Sequence, residues 1–219
     1  MAPLVPPATL GRLVTYLRVL TELGAAGTER VSSDELGERA GTSAFQVRKD
    51  LATCGRFGTR GSGYSVATLD RELRRVLGLT REWPVAIVGM GRLGQALADY
   101  PNFGEFDFVL RGAFDVDPEK VGMAAGPLVV RHLGELPAAV RDEGIQMAFL
   151  TVPASAAQDA ADVLVEAGVR GILNFAPSVI HVSDGVRVEG VDFLGGLQRL
   201  SFALGGQLTL ASRPVDPMT

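Results

Sequence analysis

Pro84-Val85-Ala86-Ile87-Val88-Gly89-Met90-Gly91-Arg92-Leu93-Gly94 is the stretch on which the reading of the fold turns. Residues 84–88 form a β-branched apolar run, too short for a helix and opened by proline, which predicts a buried parallel strand. The run passes directly into Gly-x-Gly-x-x-Gly, and residues 95–100 continue as helix. At a strand-to-helix junction each glycine has its own task. Gly89 permits the tight turn, Gly91 lets backbone approach a pyrophosphate, and Gly94 allows close packing of helix on strand. The helix N-terminus supplies the positive end for the phosphates, with Arg92 and Leu93 counted among the binding residues.

Outward from the glycines, a strand over 108–114 ends in Asp115, 21 residues beyond Gly94. That is the spacing of the acidic residue that accepts adenine-ribose hydroxyls. A carboxylate there repels a 2′-phosphate, and the next residues, Val116, Asp117 and Pro118, are not basic, so NAD and NADH are favoured over their phosphorylated forms. A competing reading has Asp115 merely capping the turn at Pro118. Residues 128–130, 147–152 and 171–175 read as further strands, alternating with helices over 136–141 and 156–167. The expectation is an α/β fold with a doubly wound parallel sheet. Thr151, Pro153 and Asn174 then fall at carboxyl ends of strands and border the cofactor crevice. Residues 186–192 read as an edge strand. Residues 197–204 read as a short helix after Gly195-Gly196, apolar on several sides and in need of a partner, for which a second protomer is the simplest choice. The residues after 205 read as a tail.

The N-terminal part has a different character. Residues 1–80 carry a net charge of +3 and residues 81–219 a net −7, and the window 39–60 holds Arg39, Arg48, Lys49, Arg56 and Arg60 against Asp50 alone. Leu10, Leu13, Val14, Leu17, Val19, Leu20 and Leu23 make one amphipathic stripe ending at Gly24. Ser32 and Glu35 form a capping box opening a short helix that Gly41 stops, and Ser43-x-x-Gln46 opens another about three residues later. That is helix-turn-helix spacing. On the second of these helices Ala44, Val47, Leu51 and Cys54 share a face. Phe45, Gln46, Lys49 and Thr53 lie opposite with Arg48 on the flank, and Gln46, Lys49 and Arg48 are side chains suited to base edges and phosphates. Residues 57–64, with three glycines around Arg60 between Phe57 and Tyr64, read as a wing hairpin whose Arg60 can enter a minor groove. A fourth helix over 69–77 closes the domain. The organisation is thus a winged-helix domain over 1–80, a nucleotide-binding domain over 81–192 and a C-terminal helix and tail over 193–219.

Composition excludes several classes. At 47% hydrophobic and 21% charged residues the chain can bury a sizeable core. The longest uncharged stretches contain proline and fall short of a membrane span, and no basic-then-apolar leader opens the chain, so a cytoplasmic protein without membrane contact is expected. One cysteine, Cys54, and two histidines, His132 and His181, offer no disulfide framework and no metal-ligand cluster. Cys54 reads as core packing. Hydride transfer commonly recruits a general acid, yet there is no Tyr-x-x-x-Lys and no substrate domain after residue 204, so an enzyme is not expected. The alternatives are an NAD-dependent oxidoreductase with an N-terminal interaction domain, and a CoA-binding domain, against which Asp115 counts.

Taken together, Arg48-Lys49-Asp50-Leu51, Gly58-Thr59-Arg60-Gly61 with Gly63-Tyr64, Gly89 to Gly94, Phe114-Asp115, Ile172-Leu173-Asn174-Phe175-Ala176-Pro177 and Val191-Asp192 resemble the Rex family of bacterial redox-sensing repressors. The resemblance covers most of the chain. It departs from the family pattern around Cys54 and Phe57, where an aromatic pair is common, and at Ser62, where a larger residue is common. It implies a homodimer with a winged-helix head, a Rossmann body and a C-terminal helix exchanged between protomers. It further implies binding to an inverted-repeat operator that NADH releases, with DNA contacts from Gln46, Arg48, Lys49, Arg60 and Tyr64. The reduced nicotinamide is implied to sit at the dimer interface near Phe193, with Tyr100 and Asp192 close by and Arg18 as partner of Asp192.

Overall fold

The computed structural model describes residues 5–55, 57, 63–101 and 103–209. The chain divides into two compact units, Met1–Arg81 and Glu82–Thr219.

In the first unit, α1 (Pro7–Ala25), β1 (Arg30–Val31), α2 (Ser33–Arg39), α3 (Ala44–Cys54), β2 (Tyr64–Ser65) and α4 (Val66–Val76) follow one another. The serine caps form as the spacing predicts: Ser32 accepts from the Glu35 N–H at 3.0 Å and Ser43 from the Gln46 N–H at 3.2 Å. Leu13, Leu17, Leu20 and Leu23 of α1 pack against Leu36, Val47, Leu51, Leu69 and Leu73 in one core, with Cys54 at its margin. Two elements depart from expectation. Leu10 and Val14, expected in the buried stripe, are exposed, because the helix turns Thr9 and Tyr16 inward instead. The fourth helix starts at Val66 rather than 69, because Ser65 caps it through the Thr68 N–H. The tip of the expected wing, residues 58–62 with Arg60, lies outside the described residues. On its far side, Tyr64–Ser65 pairs antiparallel with Arg30–Val31.

The second unit holds β3 (Trp83–Val88), α5 (Arg92–Ala98), β4 (Phe108–Asp115), β5 (Ala124–Ala125), β6 (Leu128–His132), α6 (Leu136–Glu143), β7 (Met147–Leu150), α7 (Ala157–Ala167), β8 (Gly171–Asn174), β9 (Arg187–Gly190) and α8 (Phe193–Thr209). The sheet runs β5-β6-β4-β3-β7-β8-β9, parallel throughout except for the short β5. Strand order reverses at β3, as a doubly wound sheet requires. Ala86, Val88, Ala148, Leu150 and Ile172 face α6 and α7, whose Leu136, Ala139, Ala161 and Leu164 complete the larger core. Ile87 and Ala113 face the other way, towards Ala98 of α5.

Among the described residues, that second face is only half covered. The chain passes from β8 to β9 without a helix, leaving Val85, Met147, Phe149, Leu173 and Val188 around an open apolar cavity of about 540 Å³ with Phe103 and Phe108. The C-terminal helix also departs from expectation. It begins at Phe193, absorbs Gly195 and Gly196 into its first turn and runs to Thr209, past the expected end at 204. The Asp192 carboxylate accepts the Gly195 N–H at 2.7 Å, and this cap outweighs the poor helix propensity of two glycines. Leu197, Leu200, Phe202 and Leu204 stand exposed along it, Phe202 at 81%.

Candidate functional site

A crevice of about 810 Å³ opens at the carboxyl ends of β3, β4 and β7, where the strand order reverses. Gly89, Gly91, Leu93, Asp115, Thr151, Pro153 and Phe193, all expected to bind the cofactor, line it. Gly89 turns with φ +100, and an added Cβ would meet Val152 Cγ1 at 2.7 Å. A Cβ at Gly94 would overlap the Gly89 carbonyl oxygen, so that helix and strand come as close as the fingerprint demands. At Gly91 a Cβ would meet nothing within 4 Å. Gly91 caps α5 with no side chain over the first-turn N–H groups and no acidic residue beside them. The loop is therefore shaped to take a phosphate on bare backbone. Thr151 steadies it from the next strand, its hydroxyl donating to the Val88 and Gly89 carbonyls at 3.0 and 2.7 Å.

Asp115 is buried and has three partners. Its Oδ2 accepts the Met90 N–H at 2.7 Å and the Lys120 ammonium at 2.9 Å, and its Oδ1 accepts the Asp117 N–H at 2.9 Å. Burial pushes this carboxyl up, but the Asp117 N–H, Lys120 and the Met90 N–H together hold it below the usual carboxylate range. Asp115 thus caps the turn before Pro118, as the competing reading had it, and also reaches the glycine loop. A carboxylate offers about four acceptor positions, so one remains for a ribose hydroxyl, and Lys120 stands ready to share the contact.

Lys120 is the residue the sequence reading missed. The turn from Asp115 folds back through the Glu119 N–H to Asp117 Oδ1 bond at 3.0 Å, returning a lysine five positions on to the carboxylate. It also approaches Asp117 at 3.7 Å. It lines the crevice, so the expected discrimination against a 2′-phosphate is weaker than the acidic pair alone would impose. Lys120→Met is expected to weaken NADPH binding about tenfold more than NADH binding, because loss of the ammonium leaves two carboxylates facing the 2′-phosphate. Titrations following nicotinamide fluorescence measure both; equal losses for the two nucleotides would refute the assignment.

The other expected cofactor residues are placed apart from the crevice lining. Arg92 is exposed at the start of α5. Tyr100 is half-exposed and begins an aromatic row, with Phe103 at 5.1 Å between ring centroids, Phe149 at 5.4 Å from Phe103, and Phe175 at 6.1 Å from Phe149. Phe175 reaches the crevice. Asn174 is buried and spends both ends of its amide on the following turn, donating to the Ser178 carbonyl at 2.8 Å and accepting the Ala176 N–H at 2.9 Å. Asp192 and Asn174 both border a neighbouring cavity of about 510 Å³. Of the two histidines, His132 makes a side-chain contact and the exposed His181 is held through its backbone. His132 Nδ1 accepts the Gly134 N–H in a capping box, and the His181 backbone is held by the Gln158 amide.

In the first unit, α3 exposes Arg48 and Lys49, and Arg48 donates to the Ser33 hydroxyl at 2.8 Å. Tyr64 is half-buried, and burial raises its phenol above the usual value. Arg18 is exposed on α1. Gln46 is less free than expected, since its amide donates to Asp50 at 2.8 Å. Asp50 is the second missed residue. Its side chain is 2% exposed and accepts Arg12 through two bonds at 2.6 and 2.8 Å, the Tyr16 hydroxyl at 2.9 Å and the Thr9 hydroxyl at 3.3 Å. The Arg12 guanidinium holds the carboxyl down to about 2 against its burial, aided by Gln46 and Tyr16. Burial, and then Asp50, raise the Tyr16 phenol. An acid three positions from Val47 on an apolar helix face was the available signal.

Comparison with known proteins agrees with both halves. Residues 80–178 match the model of a CoA binding domain and residues 4–52 that of a DNA-binding protein N-terminus. The redox-sensing transcriptional repressor Rex of Thermus thermophilus is 60% identical over 200 residues, covering 91% of this chain and 94% of the relative. That of Deinococcus radiodurans is 50% identical over 220 residues, covering 92% and 94%. The crystal structure of RSP in complex with beta-NAD+ and operator DNA aligns with a TM-score of 0.90 at 36% identity, covering 95% of this chain and 96% of that one. RSP in complex with beta-NADH aligns at 0.84 and 34% identity, covering 95% and 98%. Identity of this order over nine-tenths of both chains places the protein in the Rex family of redox-sensing transcriptional repressors.

Proposed function

We propose that this protein is a transcriptional repressor that binds an inverted-repeat operator in the apo or NAD+ state and leaves it when NADH binds. The observation that carries the reading is one chain holding both a dinucleotide crevice and a capped helix pair whose second helix exposes Arg48 and Lys49. The relatives it matches over nearly their whole length are repressors rather than enzymes.

In this reading the chain's own residues do the following. The backbone of Gly91 and the first turn of α5 take the pyrophosphate, and Asp115 with Lys120 holds the adenosine ribose. Phe175 and Phe193 offer apolar contact, and Tyr100 belongs to the same pocket once two protomers meet. The nicotinamide supplies the signal by being neutral when reduced and cationic when oxidised. An apolar lining receives the neutral ring readily, whereas a buried cation costs several kcal/mol unless paired. Asp192, already spent in part on capping α8, is a poor counter-ion for it. Differential affinity of this kind is what shifts a population between DNA-competent and released states.

The protein acts in the cytoplasm as a homodimer, and among the described residues no helix is long and apolar enough to cross a membrane. Support for the dimer comes from two unmatched apolar surfaces: the exposed stripe of α8 and the uncovered half-face of the sheet. A helix exchanged between copies would bury both. Arg18 couples the signal to the DNA-binding unit in partnership with Asp192.

Fluorescence anisotropy on a labelled A·T-rich inverted repeat and a scrambled duplex, titrated with NADH and with NAD+, tests the whole reading. Selective binding reversed by NADH alone is the expected result, and equal release by both nucleotides would sink it. Arg18→Ala is expected to keep operator and NADH binding while raising the NADH needed for release at least about tenfold. An unchanged release curve would remove Arg18 from the mechanism.

A further inference from the structure

Among the described residues of the first unit, Phe45 is the most exposed large apolar side chain, at 68%. It occupies the second position of α3, directly after the Ser43 cap and Ala44, where a polar helix former would cost nothing. Its helical neighbours at i+3, i+4 and i+7 are Arg48, Lys49 and Ala52, all exposed. The acid of this helix, Asp50, is turned inward and neutralised by Arg12. Gln46 leans inward with it. The outward face of α3 is therefore a mixed surface with an aromatic ring at its N-terminal end, two cations beside it, a small apolar residue one turn further on, and no exposed carboxylate.

That chemistry fits a particular ligand. Cations select a polyanion, and the N-terminal residues of the second helix of such a pair are those that meet base edges in the major groove. The one apolar group presented on those edges is the thymine C5-methyl, which side chains such as phenylalanine contact. We propose that Phe45 is a sequence-reading residue, placed against thymine methyl groups in each operator half-site, with Arg48 and Lys49 fixing the helix over the adjacent phosphates. Specificity at that position then comes from apolar contact rather than from hydrogen bonding, and the ring loses water on binding DNA instead of on folding.

The inference rests on operator binding by the first unit, and the two fail differently. The duplex to use is the tightest binder that the wild-type protein recovers from a random pool. Its thymidines are replaced in symmetric pairs by deoxyuridine, which removes only the methyl, and affinity is read by anisotropy at fixed salt. One pair is expected to cost the wild type roughly fourfold per half-site, as expected for one buried methyl. The same pair should cost Phe45→Ala less than about twofold. Phe45→Leu, which keeps an apolar contact, should restore most of the methyl dependence. Because the side chain is largely in solvent, Phe45→Ala should melt with the wild type and keep NADH release. Deoxyuridine costs that are the same for wild type and Phe45→Ala at every pair would overturn the proposal, and so would a loss of affinity in Phe45→Ala that is equal on all duplexes. Absence of any selective duplex binding by the wild type would instead bring down the operator reading itself.

Discussion

Gly91→Val is expected to abolish NADH binding, by at least about a hundredfold, while leaving the melting temperature where it is. The reasoning is geometric. A Cβ at residue 91 meets no atom within 4 Å, and the backbone there, at φ −80 and ψ −167, suits any residue. The free protein therefore tolerates the side chain. The space it fills is the approach to the first-turn N–H groups of α5, so every ångström gained by the side chain is taken from the pyrophosphate, and misplacement of this size costs on the order of a hundredfold. Operator binding should persist and become blind to NADH, a locked repressor. Gly94→Val makes the contrast. There the new side chain runs into the Gly89 carbonyl, so nucleotide binding and thermal stability should fall together. Titration by nicotinamide fluorescence beside a melting curve separates the two. A Gly91→Val protein that still binds NADH within tenfold of wild type would mean that the phosphates lie elsewhere.

The second large effect belongs to Asp50. Asp50→Ala leaves the Tyr16 hydroxyl buried without its acceptor and removes the charge partner of Arg12, whose side chain is 31% exposed and can return to water. The cost is therefore set mainly by the unsatisfied phenol and the lost charge-assisted bonds, about 2–3 kcal/mol. The first unit should be markedly destabilised and operator affinity should fall, with NADH binding in the second unit intact. Asp50→Asn, which keeps an acceptor for Tyr16, should fall between. The same carboxylate sets a pH dependence. Its pKa in the folded protein, about 2, is below the value near 4 of an unfolded aspartate. Its contribution, about 2 kcal/mol, is therefore complete above pH 4 and is lost as pH falls towards 2. Urea titrations of wild type and Asp50→Asn at pH 7 and pH 3 should show the gap between them narrowing at the lower pH. A gap that stays constant would mean that the carboxylate contributes no charge-dependent stability.

Much of this was legible in the sequence because its signals are local. The glycine spacing, the strand before it and the serine caps each depend on a few neighbouring residues, and the structure places them accordingly. The misses share a cause, namely contacts made at a distance or after a fold-back. Lys120 reaches Asp115 only because an aspartate-capped turn reverses the chain, and reading forward to Pro118 stops short of it. Arg12 and Asp50 are 38 positions apart, and nothing in the pattern of α1 announces which acid it will meet. At α8 two glycines argued for a loop, and a single carboxylate at Asp192 decided otherwise.

The inward pull of Asp50 gives α3 two faces with separate histories available to them. Val47, Asp50 and Leu51 anchor the helix, and a change to any of them is felt by the fold. Phe45, Arg48, Lys49 and Ala52 stand in solvent and can be exchanged at little cost to stability. Descendants of this chain can thus drift from one set of target genes to another by substitutions on the outer face alone, while the sensing unit and its NADH response pass through unaltered.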